Sequence, residues 1–129
     1  MESKTTKKYL YEIYKLEKVN GNAAISEIAK SLNVSLPSAS KMVVKLKTNG
    51  FVNFERYGTV TLTQVGTNIG KQLAYTHQIL VTFFQIIRVQ EMDINQEVAK
   101  IQFNLSIEVI NKMKRFLEDN GYSDPHESL

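Results

Sequence analysis

Residues 25–48, ISEIAKSLNVSLPSASKMVVKLKT, decide the fold, because they hold two amphipathic segments separated by a short break. In the first segment apolar residues recur at the i, i+3, i+4 and i+7 spacing of a helix that buries one face. In the second, Ser35 is a favourable N-cap, and Pro37 falls in the first turn, where its missing N–H costs nothing. The stretch therefore predicts a helix-turn-helix whose second helix ends at Asn49-Gly50.

The flanking sequence predicts a winged form of this motif. Residues 4–18 carry an apolar helical stripe, and residues 51–56 and 59–63 are rich in Val, Thr and aromatic side chains around Tyr57-Gly58. The order helix, helix, turn, helix, hairpin is that of a winged helix-turn-helix, whose second motif helix enters a DNA major groove. The alternative for the same architecture is a protein-interaction module.

The remaining chain is predicted to be helical. Thr63 can cap a long fourth helix over residues 64–87, Asp93 with Gln96 resembles a capping box for a fifth, and Ser106 can cap a sixth. We therefore predict a mainly α protein with a winged helix-turn-helix domain, a second, all-helical domain and a flexible tail, over residues 1–63, 64–121 and 122–129.

Composition excludes several classes of function. The chain has no Cys and 2 His, which excludes disulfides, thiolate metal sites and a multi-histidine site within one chain. Its apolar runs fall short of a membrane span of about 20 residues, and no apolar stretch follows the N-terminus. The sequence also lacks a Gly-rich phosphate loop and paired acids, so we expect neither an enzyme nor a nucleotide cofactor. Because it shows neither a membrane span nor a secretory signal, we expect a cytoplasmic protein with no membrane partner.

The net charge of +3 is unevenly distributed along the chain. Residues 1–63 contain ten Lys/Arg and five Asp/Glu, which gives +5, whereas residues 64–129 contain six and eight, which gives −2. A basic first half predicts a polyanionic partner on that half alone, and double-stranded DNA is the partner that the motif favours.

Seven stretches of the chain resemble the DtxR/MntR family of metal-dependent repressors, and the two-domain manganese-responsive type most closely. They are YLYEIY (9–14), IAKSLNVS (28–35), PSASKM (37–42), GFV (50–52), VTLT (60–63), GTNIGK (66–71) and YTH (75–77). The resemblance implies a homodimer that binds a palindromic operator through two recognition helices. It also implies that residues 64–121 form the dimerisation domain.

The DNA contacts are expected at the start and on the outer face of the recognition helix and at the tip of the wing. The residues expected to make them are Ser35, Pro37, Ser38, Ser40, Lys41, Lys45, Lys47, Arg56 and Tyr57. Ser38, Ser40 and Lys41 are candidates for base and phosphate contact, and Ser35 can both cap the helix and donate to a phosphate. Pro37 is expected to set the start of the helix rather than to read bases, although its ring could touch a thymine methyl. Lys45 and Lys47 are candidates for non-specific attraction to phosphates. Ordinary capping and a solvated helix face are the alternative for this set.

The chain departs from the family at the metal site, which in the metal-responsive relatives lies between the first helix and the dimerisation domain. The aligned positions here are Lys8, Tyr11, His77, Ala99, Gln102 and Phe103. The relatives carry four acids and two histidines there, and of these six ligands only His77 survives. Manganese needs several hard oxygen ligands, so we predict no metal cofactor. Apolar packing of Tyr11, Ala99 and Phe103 is then the hypothesis for what takes the place of the metal.

The predicted function is therefore a homodimeric, sequence-specific DNA-binding regulator that acts independently of manganese or iron. Two alternatives remain open: a regulator gated by an unidentified small molecule or a protein partner, and an interaction subunit that modulates a true metalloregulator.

Overall fold

A computed structural model describes residues 2–55 and 58–122 of the chain. In this part of the chain six helices and three short strands follow one another: α1 (Lys4–Asn20), β1 (Ala23–Ala24), α2 (Ile25–Leu32), α3 (Leu36–Thr48), β2 (Val52–Phe54), β3 (Thr59–Leu62), α4 (Gln64–Ile86), α5 (Glu91–Ile101) and α6 (Ile107–Asp119). The mainly α class and the predicted order of helices and hairpin are confirmed. No described helix has the length and apolar character needed to cross a membrane.

Packing divides the chain into two compact units, Met1–Lys71 and Gln72–Leu129, and each has its own apolar core. The change from one unit to the other falls inside α4, eight residues after the predicted domain boundary at residue 63. That boundary coincides with the beginning of α4 and stays a prediction.

The first unit contains α1 to α3 and an antiparallel three-stranded sheet in the order β1-β3-β2. In the hairpin, Val52 pairs with Leu62 and Phe54 pairs with Val60. Val52, Val60 and Leu62 alternate with more exposed residues and are buried against the helices, which is the pattern of a sheet with one face in the core.

The second unit is built from the rest of α4 together with α5 and α6. Its buried centre is aliphatic and is formed by Ile79, Leu80, Ile94, Val98, Ile110 and Leu117. Between α4 and α5 the chain turns through Arg88, which has a φ of 68°, while the Val89 N–H donates to the Phe84 carbonyl. This left-handed residue ends α4 in the way that a glycine often does.

The helix caps are confirmed at three of the four predicted positions. Ser35 accepts from the Ser38 N–H at 3.1 Å, Thr63 from the Gly66 N–H at 3.2 Å, and Ser106 from the Val109 N–H at 3.3 Å.

The capping box predicted at Asp93 is wrong. α5 begins at Glu91, its N-cap is Gln90, and the Asp93 N–H donates to the Gln90 carbonyl. Asp93 lies inside the first turn, where its negative charge is favourable near the positive end of the helix dipole.

The strands also differ from the prediction. The first hairpin strand is shorter than predicted, and β1 was not predicted, because two alanines carry no alternation that marks a strand.

The start of α4 lies unusually close to the connection between α3 and β2. A Cβ on Gly66 would overlap the carbonyl oxygen of Phe51. That carbonyl accepts from both the N–H and the hydroxyl of Thr63, at 3.1 Å each, so it is held in place. Glycine at position 66 is therefore required by close packing, and its backbone conformation is an ordinary helical one.

Gly66→Ala should destabilise the protein, although alanine favours a helix more than glycine by about 1 kcal/mol. The overlap with the Phe51 carbonyl should lower the free energy of unfolding by about 1–3 kcal/mol, as overpacking does elsewhere. Urea denaturation followed by circular dichroism measures the change. Gln72→Ala, an exposed site on the same helix, is the matched control and should shift it by less than about 0.5 kcal/mol. Equal effects of the two substitutions would contradict the packing argument.

Candidate nucleic-acid interface and metal-ligand positions

The helix α3 has one face in the core and one in solvent. Ala39, Val43 and Leu46 are fully buried on the inner face. Pro37, Lys41 and Lys45, at offsets of four residues, lie on the outer face and are exposed. Lys41 and Lys45, which were predicted on the outer face of this helix, are thus exposed to solvent.

The lysines of α3 form no ion pair with any residue that the structure describes. Within residues 2–55 and 58–122, no carboxylate lies within salt-bridge distance of Lys41, Lys45 or Lys47. Lys45 lies about 40° around the helix from Lys41, whereas Lys47 lies about 120° away. Lys41 and Lys45 therefore share a side, and Lys47 projects from another.

Ser35 and Ser38 form a local pair at the beginning of α3. The Ser35 hydroxyl accepts from the Ser38 N–H and donates to Ser38 Oγ at 2.8 Å. Ser38 accepts in this pair and keeps its own hydroxyl proton for another acceptor, such as a phosphate oxygen. Ser40 is half-buried, and it is less accessible than the exposed Ser35 and Ser38.

The tip of the wing lies outside the described residues. Arg56 and Tyr57, which the sequence places there, belong to this part, and their DNA contacts stay a prediction. The described hairpin on either side keeps the antiparallel register that a wing requires, with Asn53 opposite Thr61.

One positioning residue was not assigned a role by sequence reasoning. Glu17 Oε2 accepts from the backbone N–H of Leu62 at 2.7 Å and thereby fastens β3 to α1. The sequence did indicate this role, because Glu17 continues the helical stripe of Leu10, Ile13 and Tyr14, which faces the core. A carboxylate on such a face needs a hydrogen-bond partner within the protein.

In the first unit, the two positions that align with family metal ligands carry side chains of the wrong chemistry. Lys8 is exposed, and Tyr11 is buried. Burial, with a smaller contribution from the negative charge of Glu12, raises the pKa of the Tyr11 phenol to about 12. At neutral pH the Tyr11 side chain is therefore a protonated, uncharged hydroxyl.

In the second unit, two of the aligned positions bind each other. His77 Nδ1 donates to Gln102 Oε1 at 2.8 Å, and Gln102 is only 4% exposed. Ala99 is exposed and Phe103 is half-buried, and neither side chain has an atom that can ligate a cation. This unit thus offers one imidazole and one amide oxygen, already engaged with each other.

Neighbouring carboxylates do not replace the missing ligands. Glu12 pairs with Lys15 at 3.1 Å and Glu97 pairs with Lys100 at 2.9 Å, each on its own helix. Among the residues that the structure describes, no group of three His, Cys, Asp or Glu side chains is arranged to hold a metal ion. The residues at the family's ligand positions do not fit manganese or iron, which require several oxygen or nitrogen donors.

Comparison with known families resolves the identity of the chain. Residues 1–60 match the model of the iron dependent repressor N-terminal DNA binding domain, and residues 63–128 match that of the iron dependent repressor metal binding and dimerisation domain. The chain belongs to the iron dependent repressor family. The predicted DtxR/MntR resemblance is therefore confirmed.

Individual members of this family are similar over most of their length. The HTH-type transcriptional regulator MntR of Shouchella clausii is 36% identical over 113 residues, covering 88% of this chain and 79% of that protein. MntR of Bacillus velezensis is 36% identical over 123 residues, covering 93% and 87%. At this level the chain is a DNA-binding transcriptional regulator of the iron dependent repressor family, and its relatives are regulators rather than enzymes.

Several solved structures of similar fold are longer than this chain. The T. acidophilum IdeR structure has a TM-score of 0.77 at 22% identity and covers 96% of this chain, which spans 57% of that one. A manganese-dependent transcriptional repressor in complex with manganese has a TM-score of 0.79 at 22% identity, with coverage of 88% and 52%. These structures confirm the winged helix-turn-helix followed by a helical domain.

The raised pKa of Tyr11 predicts a late ionisation step in alkaline titration. Because the folded-state pKa of about 12 exceeds the ordinary value of 10.0, the contribution of this phenol to stability is complete below pH 10 and is lost as the pH rises through 12. Tyr11→Phe should remove the last step of tyrosinate absorbance. Tyr122→Phe, at an exposed tyrosine, should leave that step in place, and a last step that persists in Tyr11→Phe would contradict the assignment.

The positions of Lys41 and Lys47 on α3 predict different effects on DNA binding. Lys41→Ala should weaken operator binding by about 1–3 kcal/mol, as expected for loss of a base contact. Lys47→Ala should weaken operator and unrelated DNA similarly and reduce the salt slope by about one unit. Fluorescence anisotropy over a salt series measures both. Lys112→Ala in α6 is the control for loss of charge alone, and unchanged affinity in both α3 variants would refute groove placement.

Proposed function

We propose that this protein represses transcription as a homodimer on a palindromic operator, and that its DNA binding requires neither manganese nor iron. The observation that carries the proposal is the chemistry of the ligand positions. Four of the six hold lysine, tyrosine, alanine and phenylalanine, and the remaining two, His77 and Gln102, hydrogen-bond to each other at 2.8 Å.

The pattern of loss supports a stable metal-free protein. Carboxylates gathered without a cation repel one another, so removing a single ligand from such a set leaves the others destabilised. Here all four acidic positions have changed together, to Lys8, Tyr11, Ala99 and Gln102. With no cluster of negative charge remaining, no cation is needed to neutralise one.

The homodimer is supported by the match of residues 63–128 to a dimerisation domain. Residues 1–63 carry +5, and a dimer doubles this charge on the two surfaces that face DNA. Release of counterions from the contacted phosphates then supplies much of the affinity. Residues 64–129 carry −2, so the dimerisation domain adds no non-specific electrostatic attraction to DNA.

Metal independence distinguishes this chain from several relatives. Solved structures of similar fold include one described as a manganese regulator and one described as manganese-dependent. These links to manganese are properties of those two proteins. The proposal for this chain rests on its own side chains, which differ from the family's ligands at five positions of six.

The direct test is DNA binding in chelator and then with manganese, iron or zinc. Fluorescence anisotropy with a duplex from the region upstream of the protein's own gene, at one salt concentration, should give the same specific Kd in every condition. Specific binding that appears only with metal would overturn the metal-independent part. Absence of specific binding in every condition would instead favour the interaction-subunit alternative, which a mixed-dimer pull-down then examines.

Thermal unfolding provides an independent test of metal binding. At micromolar manganese the Tm should stay unchanged, because a ligand that does not bind the native state adds nothing to its stability. His77→Ala serves as the matched variant, since it removes the one family ligand that is retained. A rise of several degrees with manganese that is abolished in His77→Ala would refute the proposal.

A further inference from the structure

Val44 is a large apolar side chain on the solvent side of α3. It is 54% exposed, whereas its neighbour Val43 on the inner face is fully buried. Val44 follows Lys41 by three residues, so the two are neighbours on one face of the helix. More than half of this apolar side chain is therefore available to whatever α3 contacts.

Spacing places Val44 among the base-reading positions. In homeodomains the residues of the recognition helix that reach base edges stand at i, i+3, i+4 and i+7. From Pro37, the same spacing gives Ser40, Lys41 and Val44. Because helical side chains lean towards the N-terminus, Val44 extends towards Lys41 and towards the edge of an adjacent base pair.

The charges around Val44 indicate the class of partner. Lys41, Lys45 and Lys47 surround it along the helix at offsets of −3, +1 and +3, and within the described ranges none is paired with a carboxylate. A purely apolar protein surface would bury these cations without compensation. A polyanion with an apolar group exposed between its phosphates matches both the lysines and the valine.

In the major groove only one base edge offers such a group, the 5-methyl of thymine, because the other edges present hydrogen-bond donors and acceptors that valine cannot satisfy. We propose that Val44 contacts a thymine 5-methyl group in each operator half-site, beside the base pair that Lys41 contacts, and thereby selects thymine there. The inference rests on the proposed DNA-binding function and identifies one base that this function requires.

The test compares thymidine with deoxyuridine, which differs only by the methyl group. The full chain first selects a consensus duplex from a library with a randomised core of about three helical turns. Each thymidine of one half-site is then replaced in turn by deoxyuridine, and Kd is measured by anisotropy. At one position the wild type should bind the uracil duplex about fourfold more weakly, as expected for loss of one buried methyl-sized group.

Val44→Ala should abolish this difference, binding the thymidine and deoxyuridine duplexes equally at that position. Val19→Ala removes a more exposed valine, 80% accessible, from the end of α1, and it should keep the fourfold discrimination. Unchanged Tm in both variants shows that the fold is intact.

Equal binding of both duplexes by the wild type at every thymine would overturn the inference, as would full discrimination in Val44→Ala. Failure to select any consensus would overturn the proposed function itself, so the two failures are distinguishable.

Discussion

The side of α3 that faces solvent depends on the rotation of this helix about its own axis, and the buried side chains Ala39, Val43 and Leu46 fix that rotation. Burial of a valine or leucine side chain stabilises the fold by about 1.5–3 kcal/mol. A rotation by one residue, about 100°, would withdraw these groups and turn polar residues towards the core. The outer row of the helix is therefore determined by its inner row, although no outer residue contributes to the core.

Two polar contacts hold the hairpin against this helical frame. Glu17 on α1 accepts from the Leu62 N–H on β3, and the Thr63 hydroxyl donates to the Gly50 and Phe51 carbonyls at the end of α3. The first contact is charge-assisted, and such hydrogen bonds are stronger than neutral ones. These contacts join the hairpin to α1 and to the end of α3. If α3 binds in a DNA groove, they therefore fix where the base of the wing lies relative to that groove.

Sequence patterns predicted the helices well, because each buries a stripe that recurs with helical period. They failed where structure depends on partners distant in sequence. β1 exists through pairing of Ala23 with Val60 and of Ala24 with Thr59, and neither alanine signals it. Asp93 and Gln96 have the residue types of a capping box, but α5 begins earlier, at Glu91, and its N-cap Gln90 makes no side-chain hydrogen bond.

The candidate site was predictable to a similar degree. The outer lysines of α3 followed from a helical projection, and the loss of metal ligands followed from the resemblance. The hydrogen bond between His77 and Gln102 did not, since it depends on how α4 approaches the segment after α5. The exposure of Val44 was not predicted either, because the sequence patterns assigned this residue to neither face of α3.

Loss of the ligand set has a thermodynamic consequence for regulation. An effector shifts an equilibrium only by the difference in its affinity for the two states. If manganese binds neither the DNA-competent state nor its alternative, metal concentration cannot alter operator occupancy, however similar the fold is to that of metal-responsive relatives. Occupancy would then follow the concentration of the dimer, or a ligand that recognises the present side chains.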